Sequence, residues 1–278
     1  MVNLKQRSTD AEIMDDFSLP DTEVVPVLKG LEKMNALFGG HKMLIKALKS
    51  LSIKSGDKVS DWGCGGGDAL RAIAKWATKQ NIQLKLTGVD ATASAVEFAR
   101  QEAEPYPNID FILTDVLSDD TIPLSRGGAV YSAAAGVCLP NGEGHTPPPL
   151  SRGESHMANA SFERSQLHSN QFDVVFSSLF THHFADEEWI VLVKKMVDSS
   201  KKAVIITDLH RHWLLYYAII FIAYTFTKSK MARFDGPLSV KRSFKKHELV
   251  NLLQQSGLTN YKIEWKWAFR WQVIIYKS

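Results

Sequence analysis

Cysteine is nearly missing from this chain: the 278 residues hold two, Cys64 and Cys138. Neither belongs to a Cys-x-x-Cys pair or a Cys/His cluster, so neither a disulfide framework nor a metal site is expected, and the usage fits a reducing cytoplasm. Long hydrophobic runs are missing too. The longest uncharged apolar stretch, WLLYYAIIFIAYTF at 213–226, falls short of the ~20 residues needed to span a bilayer. The first stretch, MVNLKQRSTDAEIMDD, lacks the apolar core of a secretion signal. A dominant charge is absent as well, since a net +3 is too mild to point to nucleic acid by itself. With 45% hydrophobic and 23% charged residues and a mean hydropathy of -0.14, the composition is that of an ordinary globular chain.

What is present is an alternation of strand and helix patterns. Residues 21–52 carry apolar residues three and four apart, with Gly39-Gly40 marking a break between two helices. Strands are then expected at 58–61, 84–90, 109–115, 172–178 and 203–209, separated by helical segments. Helices are also expected at 213–226 and 244–256, and the last residues read as two strands joined by a tight turn. The pattern specifies an α/β fold, doubly wound, with a mostly parallel seven-stranded sheet and an antiparallel last strand. The expected organisation is an N-terminal helical cap at 1–52 and one domain at 53–278.

Between Asp115 and Phe172 the periodicity stops for longer than a connection in such a sheet usually lasts. The pentapeptide PLSRG occurs there twice, at 123–127 and 149–153, around a Gly/Pro/Ala-rich filler. Residues 120–168 are therefore read as a flexible surface insertion without chemistry, Cys138, His145 and His156 included.

The densest signal is VSDWGCGGGDAL at 59–70. As a dinucleotide fingerprint, Gly-x-Gly-x-x-Gly, it puts Asp68 where a small residue should let helix pack on strand. As acidic-x-Gly-x-Gly-x-Gly it is complete: Asp61, Gly63, Gly65 and Gly67, with Cys64 inside it. That order resembles the first motif of class I S-adenosylmethionine-dependent methyltransferases, of the small-molecule type. Three further landmarks follow at strand ends. Asp90, with Ala91 after it, closes the second strand, where a carboxylate accepts hydrogen bonds from ribose hydroxyls. Thr114, Asp115 and Val116 follow the third, where the family contacts adenine. Ser177 and Ser178 end the fourth, beneath the cofactor. The resemblance covers most of the chain apart from residues 1–20 and the insert. It also includes stretches like NALFGGHK, DLHRHWLLYY and the block from Arg233 to Phe244, shared with a bacterial subfamily of which some members are associated with polyketide or quinone biosynthesis.

The resemblance implies S-adenosylmethionine as cofactor, no metal, and a small, hydrophobic phenolic, polyketide or quinone-like acceptor. Oxygen is favoured over carbon as the atom methylated. His182 or His183, directly after the fourth strand, is the candidate general base. His210, Arg211, Tyr216 and Arg233 are candidate substrate contacts, Arg211 as a clamp for an acidic oxygen. Residues 211–246 hold eight Lys/Arg against one acid beside the apolar run. This is either a core-packed helix with a solvated basic face or an apolar wall beside a basic rim, suited to an amphiphilic substrate or to peripheral contact with an anionic membrane. Trp265, Trp267 and Trp271 are expected to pack the sheet against helices.

Four rival readings are a C-methyltransferase, a non-catalytic S-adenosylmethionine-binding protein, an NAD-dependent oxidoreductase, disfavoured by Asp68, and a nucleic-acid methyltransferase. The last is disfavoured because the chain has neither an Asn/Asp-Pro-Pro-Tyr/Phe motif nor a Cys-Pro pair. Deleting residues 128–153 is expected to leave the folded fraction, measured by chemical denaturation, and cofactor affinity unchanged; loss of either contradicts the reading of the insert.

Overall fold

The computed structural model describes residues 2–117 and 169–277, so the expected insertion at 120–168 lies outside the described residues. Seven strands form one sheet: β1 Lys58–Trp62, β2 Lys85–Asp90, β3 Ile109–Leu113, β4 Phe172–Ser178, β5 Ser200–Leu209, β6 Tyr261–Lys266 and β7 Arg270–Tyr276. Their order is β3-β2-β1-β4-β5-β7-β6. The first five run parallel, while β7 pairs antiparallel with β5 and β6 antiparallel with β7. This is the expected doubly wound sheet, and the order reverses direction between β1 and β4. In open sheets of this kind a crevice forms at that reversal, outside the carboxyl ends of the strands.

Side chains alternate between the two faces of the sheet. Val59, Val174, Phe176, Ala203 and Ile205 join one buried cluster with Leu70 and Ile73. Trp62, Val175, Val204 and Ile206 join the other, with Trp189, Leu192 and Leu253. The helices behind these contacts are α2 (Gly40–Ser50) and α3 (Asp68–Lys79) on the first face, and α5 (Asp186–Ser199) and α8 (Lys246–Gln255) on the second. Helix α3 repeats its apolar residues at 69, 70, 73, 74 and 77, which keeps one stripe on the sheet. Helices α1 (Asp21–Leu37) and α2 flank the expected break, where Gly39 takes φ +77°. Helix α4 (Ala93–Glu102) packs Ala95 and Phe98 against Val24 and Leu28 of α1, so the N-terminal helix lies beside the β2–α4 connection.

Three regions decide between or depart from the sequence-based expectations. Residues 213–226 do form a helix, α6 (Trp213–Phe226), but it is not core-packed, because only Leu215 and Ala223 are buried. Trp213 is 58% exposed, Phe221 68% and Phe226 78%. A further helix, α7 (Lys230–Arg242), forms across Gly236-Pro237, a pair that in sequence reads as a break. The Ser229 hydroxyl caps it by accepting from the Ala232 N–H, while Met231, Leu238 and Val240 are buried. At Gly236 a Cβ would stand 2.9 Å from the Ile219 side chain, so the glycine lets α7 lie close on α6. Of the three hairpin tryptophans, only Trp271 packs as expected; Trp265 and Trp267 are 46% and 68% exposed. No helix among the described residues is long and apolar enough to cross a membrane.

Candidate active site

The glycine bend between β1 and α3 takes a conformation that other residues resist. Gly63, Gly65 and Gly67 all have positive φ, at 73°, 49° and 71°. Space is short as well: a Cβ on Gly63 would lie 2.2 Å from the Phe180 ring, and one on Gly67 2.9 Å from Phe111. The bend is tied to β2 by three backbone donors. Gly63 and Cys64 both donate to the Val89 carbonyl, and Gly65 donates to the Asp90 carboxylate at 2.8 Å. The other Asp90 oxygen accepts from the Thr92 N–H, which fixes the start of α4.

Three carboxylates crowd this bend. Asp61 is fully buried beneath it, and its Oδ1 has no hydrogen-bond partner. Burial raises its pKa well above the usual carboxylate range, and the charges of Asp68 and Asp90 push the same way. Burial also raises Asp90, against the bonds from Thr92 and Gly65. For Asp68 burial is outweighed by His41 and Asn35, which bind it at 2.6 and 3.0 Å and hold its pKa down. A pocket of this kind favours a ligand with a cationic group.

A cavity of about 130 Å³ opens beside the bend. Of the residues singled out in the sequence, Gly63, Cys64, Gly65, Asp90, Ala91, Thr114, Asp115, Val116, Ser178 and His183 line it. Asp61, Gly67 and Ser177 do not line it; Asp61 and Ser177 are buried, and Gly67 caps α3. Residues that the sequence reading missed complete the wall: Met14, Asp15 and Phe17 from the N-terminal segment, Leu28 and Asn35 from α1, and Phe180. Segment 12–17 carries no apolar periodicity, so nothing local marked it.

The two histidines have different surroundings. They form a 3-10 turn, Thr181–His183, directly after β4. His182 is buried, with Nδ1 2.7 Å from Asp208, whose other oxygen accepts from the Thr181 hydroxyl and the His182 N–H. Burial opposes the charge on His182, but Asp208 and then Glu12 outweigh it and raise the pKa. His183 is more open, with Nδ1 2.7 Å from Asp15, and it lines the cavity where His182 does not. Arg242 holds the other Asp15 oxygen at 2.8 Å, and Asp235 accepts from the N–H groups of Ile13 and Met14. Burial pushes Asp235 up to about 6, with Glu12 and Asp15 adding to the rise against those two bonds. The N-terminal segment is thus fastened across the sheet edge by charge.

The four candidate substrate contacts are not brought to this cavity. Arg211 is 2% exposed; it donates to the Leu4, Lys5 and Ser243 carbonyls and pairs with Glu248, so it is held within the fold. Arg233 donates to the Thr227 and Tyr224 carbonyls and so caps α6. His210 stacks edge-on with Trp271, and Tyr216 lies on α6 against Tyr217.

Known proteins carry the same fold. Residues 53–126 match a family model described as a methyltransferase domain. The plantazolicin methyltransferase BpumL in complex with SAH superposes with a TM-score of 0.60 at 15% identity, over 94% of this chain and 92% of that one. A SAM-dependent methyltransferase from Aquifex aeolicus gives 0.55 at 14% identity, over 93% and 99%. Human N-acetylserotonin methyltransferase in complex with SAM gives 0.56 at 12%, over 93% and 57%. At these identities the likeness is one of fold. No curated protein matches the chain.

Gly63→Ala is expected to destabilise the protein by about 1–3 kcal/mol, from the left-handed backbone and the clash with Phe180. Adding Phe180→Ala should relieve only the steric part, read as a partial recovery of the denaturation midpoint. Unchanged stability of the single variant contradicts the geometry of the bend.

Proposed function

We infer that this chain, an S-adenosylmethionine-dependent methyltransferase of class I, methylates an oxygen of a small, apolar, phenol-like acceptor. The observation that carries the reading is that one cavity is lined both by the Gly63–Gly65 bend with Asp90 and by His183 with Asp15. Cofactor residues and a proton-handling imidazole therefore face a common space.

The residues present fit the cofactor. The unpartnered Asp61 oxygen and the three crowded carboxylates suit its ammonium group, by direct contact or through water. Gly63 and Gly65 line the cavity and put no side chain of their own into it, and Phe180, packed on Gly63, is what a close ligand would have to displace. Asp90 would hold the ribose hydroxyls, Thr114 to Val116 the adenine edge, and Ser177 and Ser178 the floor near the sulfonium. When bound, the cofactor supplies a methyl group on a good leaving group. The chain's part is then to align the acceptor and to take its proton at the His182–His183 edge. Asp15 holds the His183 ring in one orientation, and buried His182 braces the turn from below. The cavity is narrower than the ~300–1,000 Å³ of typical ligand sites, so Phe180 and the segment at 12–17 must yield when the cofactor binds.

The exposed apolar face of α6 beside Lys228 and Lys230 supports an amphiphilic acceptor, met at an anionic lipid surface. The N-terminal helices at 1–52 act as a cap over the cofactor, with the domain proper at 53–278.

Asp90→Ala is expected to weaken binding of S-adenosylhomocysteine by about 2–4 kcal/mol, the worth of two charge-assisted hydrogen bonds. Calorimetry with an unchanged affinity removes Asp90 from the site. For the chemistry, labelled cofactor incubated with a crude lipid extract should give a methylated product by mass spectrometry. His183→Ala should slow its formation while cofactor affinity stays the same; equal rates would put the proton transfer elsewhere.

A further inference from the structure

We propose that Glu12, His182 and His183 form a binding site for one divalent cation of the zinc class, where the N-terminal segment meets the carboxyl edge of the sheet. Both imidazoles have Nδ1 tied to a carboxylate at 2.7 Å, His182 to Asp208 and His183 to Asp15. That pairing keeps the ring proton on Nδ1 and directs the Nε2 lone pair outward, the arrangement by which metal-binding histidines are oriented. Both Nε2 atoms converge on Glu12, at 3.7 Å from Oε1 and 3.9 Å from Oε2. One ligand atom from each of the three residues lies within 4.8 Å of the others.

The buried atoms between them are unpaired. Glu12 and His182 side chains are each 3% exposed, and neither Glu12 Oε1 nor His182 Nε2 makes a hydrogen bond. Leaving such groups unsatisfied is costly, so something should lie between them. The spacing decides what. A direct hydrogen bond needs about 2.8 Å, whereas a tetrahedral ion with bonds of about 2.0–2.1 Å holds its ligand atoms roughly 3.3 Å apart. The two observed separations, each to a different Glu12 oxygen, exceed both values and stand nearer the second. Oε2 also accepts from the Ser239 hydroxyl at 2.9 Å, which leaves Oε1 as the unpaired oxygen. Charge agrees: Glu12, Asp15, Asp208 and Asp235 surround the point, against Arg242, while Arg7 is spent on Asp186. Arg242 approaches Glu12 Oε1 only with Nε, at 3.8 Å, its other nitrogens being held by Asp15, Asp10 and His183. Its repulsion weakens the site without covering the ligand atoms.

Two nitrogens and a carboxylate with an open fourth position are the donor set of catalytic zinc; magnesium and calcium prefer oxygen alone. Beside the cluster lies a second cavity of about 570 Å³, lined by Arg7, Ala11, His182, His183 and Arg242, though not by Glu12 itself. His183 and Asp15 line both cavities. Resting on the proposed methylation of an oxygen at this edge, this inference changes the part His183 plays there from proton acceptor to ligand: with the cation held its Nε2 is occupied, the cation stabilises the acceptor's oxyanion, and the proton passes to water.

The test uses the full chain, stripped with chelator and free of cofactor and acceptor. Zn²⁺ should be retained at one per chain through desalting, and Co²⁺ should give visible absorption of tetrahedral type at the same stoichiometry. Glu12→Gln and His183→Gln, checked as folded by circular dichroism, should abolish both signals, and Asp15→Asn should weaken affinity by about 10–100-fold. Failure of the folded wild-type chain to hold either ion, or equal binding by the folded variants, overturns the site. Metal binding with no methylated product would sink the oxygen-methylation reading alone; methylation that survives full chelation would sink this inference alone.

Discussion

The bond from the Gly65 N–H to the Asp90 carboxylate is the constraint from which the site is built. It joins the bend after β1 to the end of β2, next to the place where the strand order reverses. Without glycine at 63, 65 and 67 the chain could not turn there, and without Asp90 the bend would have no side-chain anchor on the neighbouring strand. The same carboxylate fixes the start of α4 through Thr92, so one side chain organises both the glycine bend and the β2–α4 connection on this side of the cavity. The cost is three carboxylates crowded in a buried place, where burial disfavours the charged forms of Asp61 and Asp90 and repulsion adds to it at Asp61. A cationic ligand relieves it.

The opposite wall depends on long-range electrostatics. Residues 12–17 have little to bury, and Met14 and Phe17 are held at the cavity because Asp15 is gripped by Arg242 and His183 and because Asp235 receives two backbone N–H groups. A segment pinned mainly by ion pairs can part from the sheet edge more cheaply than a packed helix. That suits a cavity too narrow for a nucleoside until its wall yields.

Periodicity made the sheet legible, because buried parallel strands and amphipathic helices each repeat at their own interval. The glycine bend and Asp90 were legible because backbone geometry and chemistry coincide in one short stretch. Glu12 and Asp15 were not, since their meaning comes from His182 and His183, far along the chain, and no local pattern connects them. Arg211 misled for a related reason: a strand-end arginine looks available, and only the fold reveals Glu248 and the Leu4 and Ser243 carbonyls around it. Helix α7 was hidden by Gly236-Pro237, where burial of Met231, Leu238 and Val240 overrides a local breaker. The exposure of Trp267 and Phe221 follows from where the hairpin and α6 stand, which alternation cannot tell.

The central claim is that the bend and Asp90 hold the nucleoside of S-adenosylmethionine and not a dinucleotide. Calorimetric titration of the purified chain with S-adenosylhomocysteine and, separately, with NADH tests it most directly. The account predicts saturable binding of one S-adenosylhomocysteine per chain and no heat of binding from NADH. Saturable NADH binding, or no binding of S-adenosylhomocysteine by the folded protein, would contradict it.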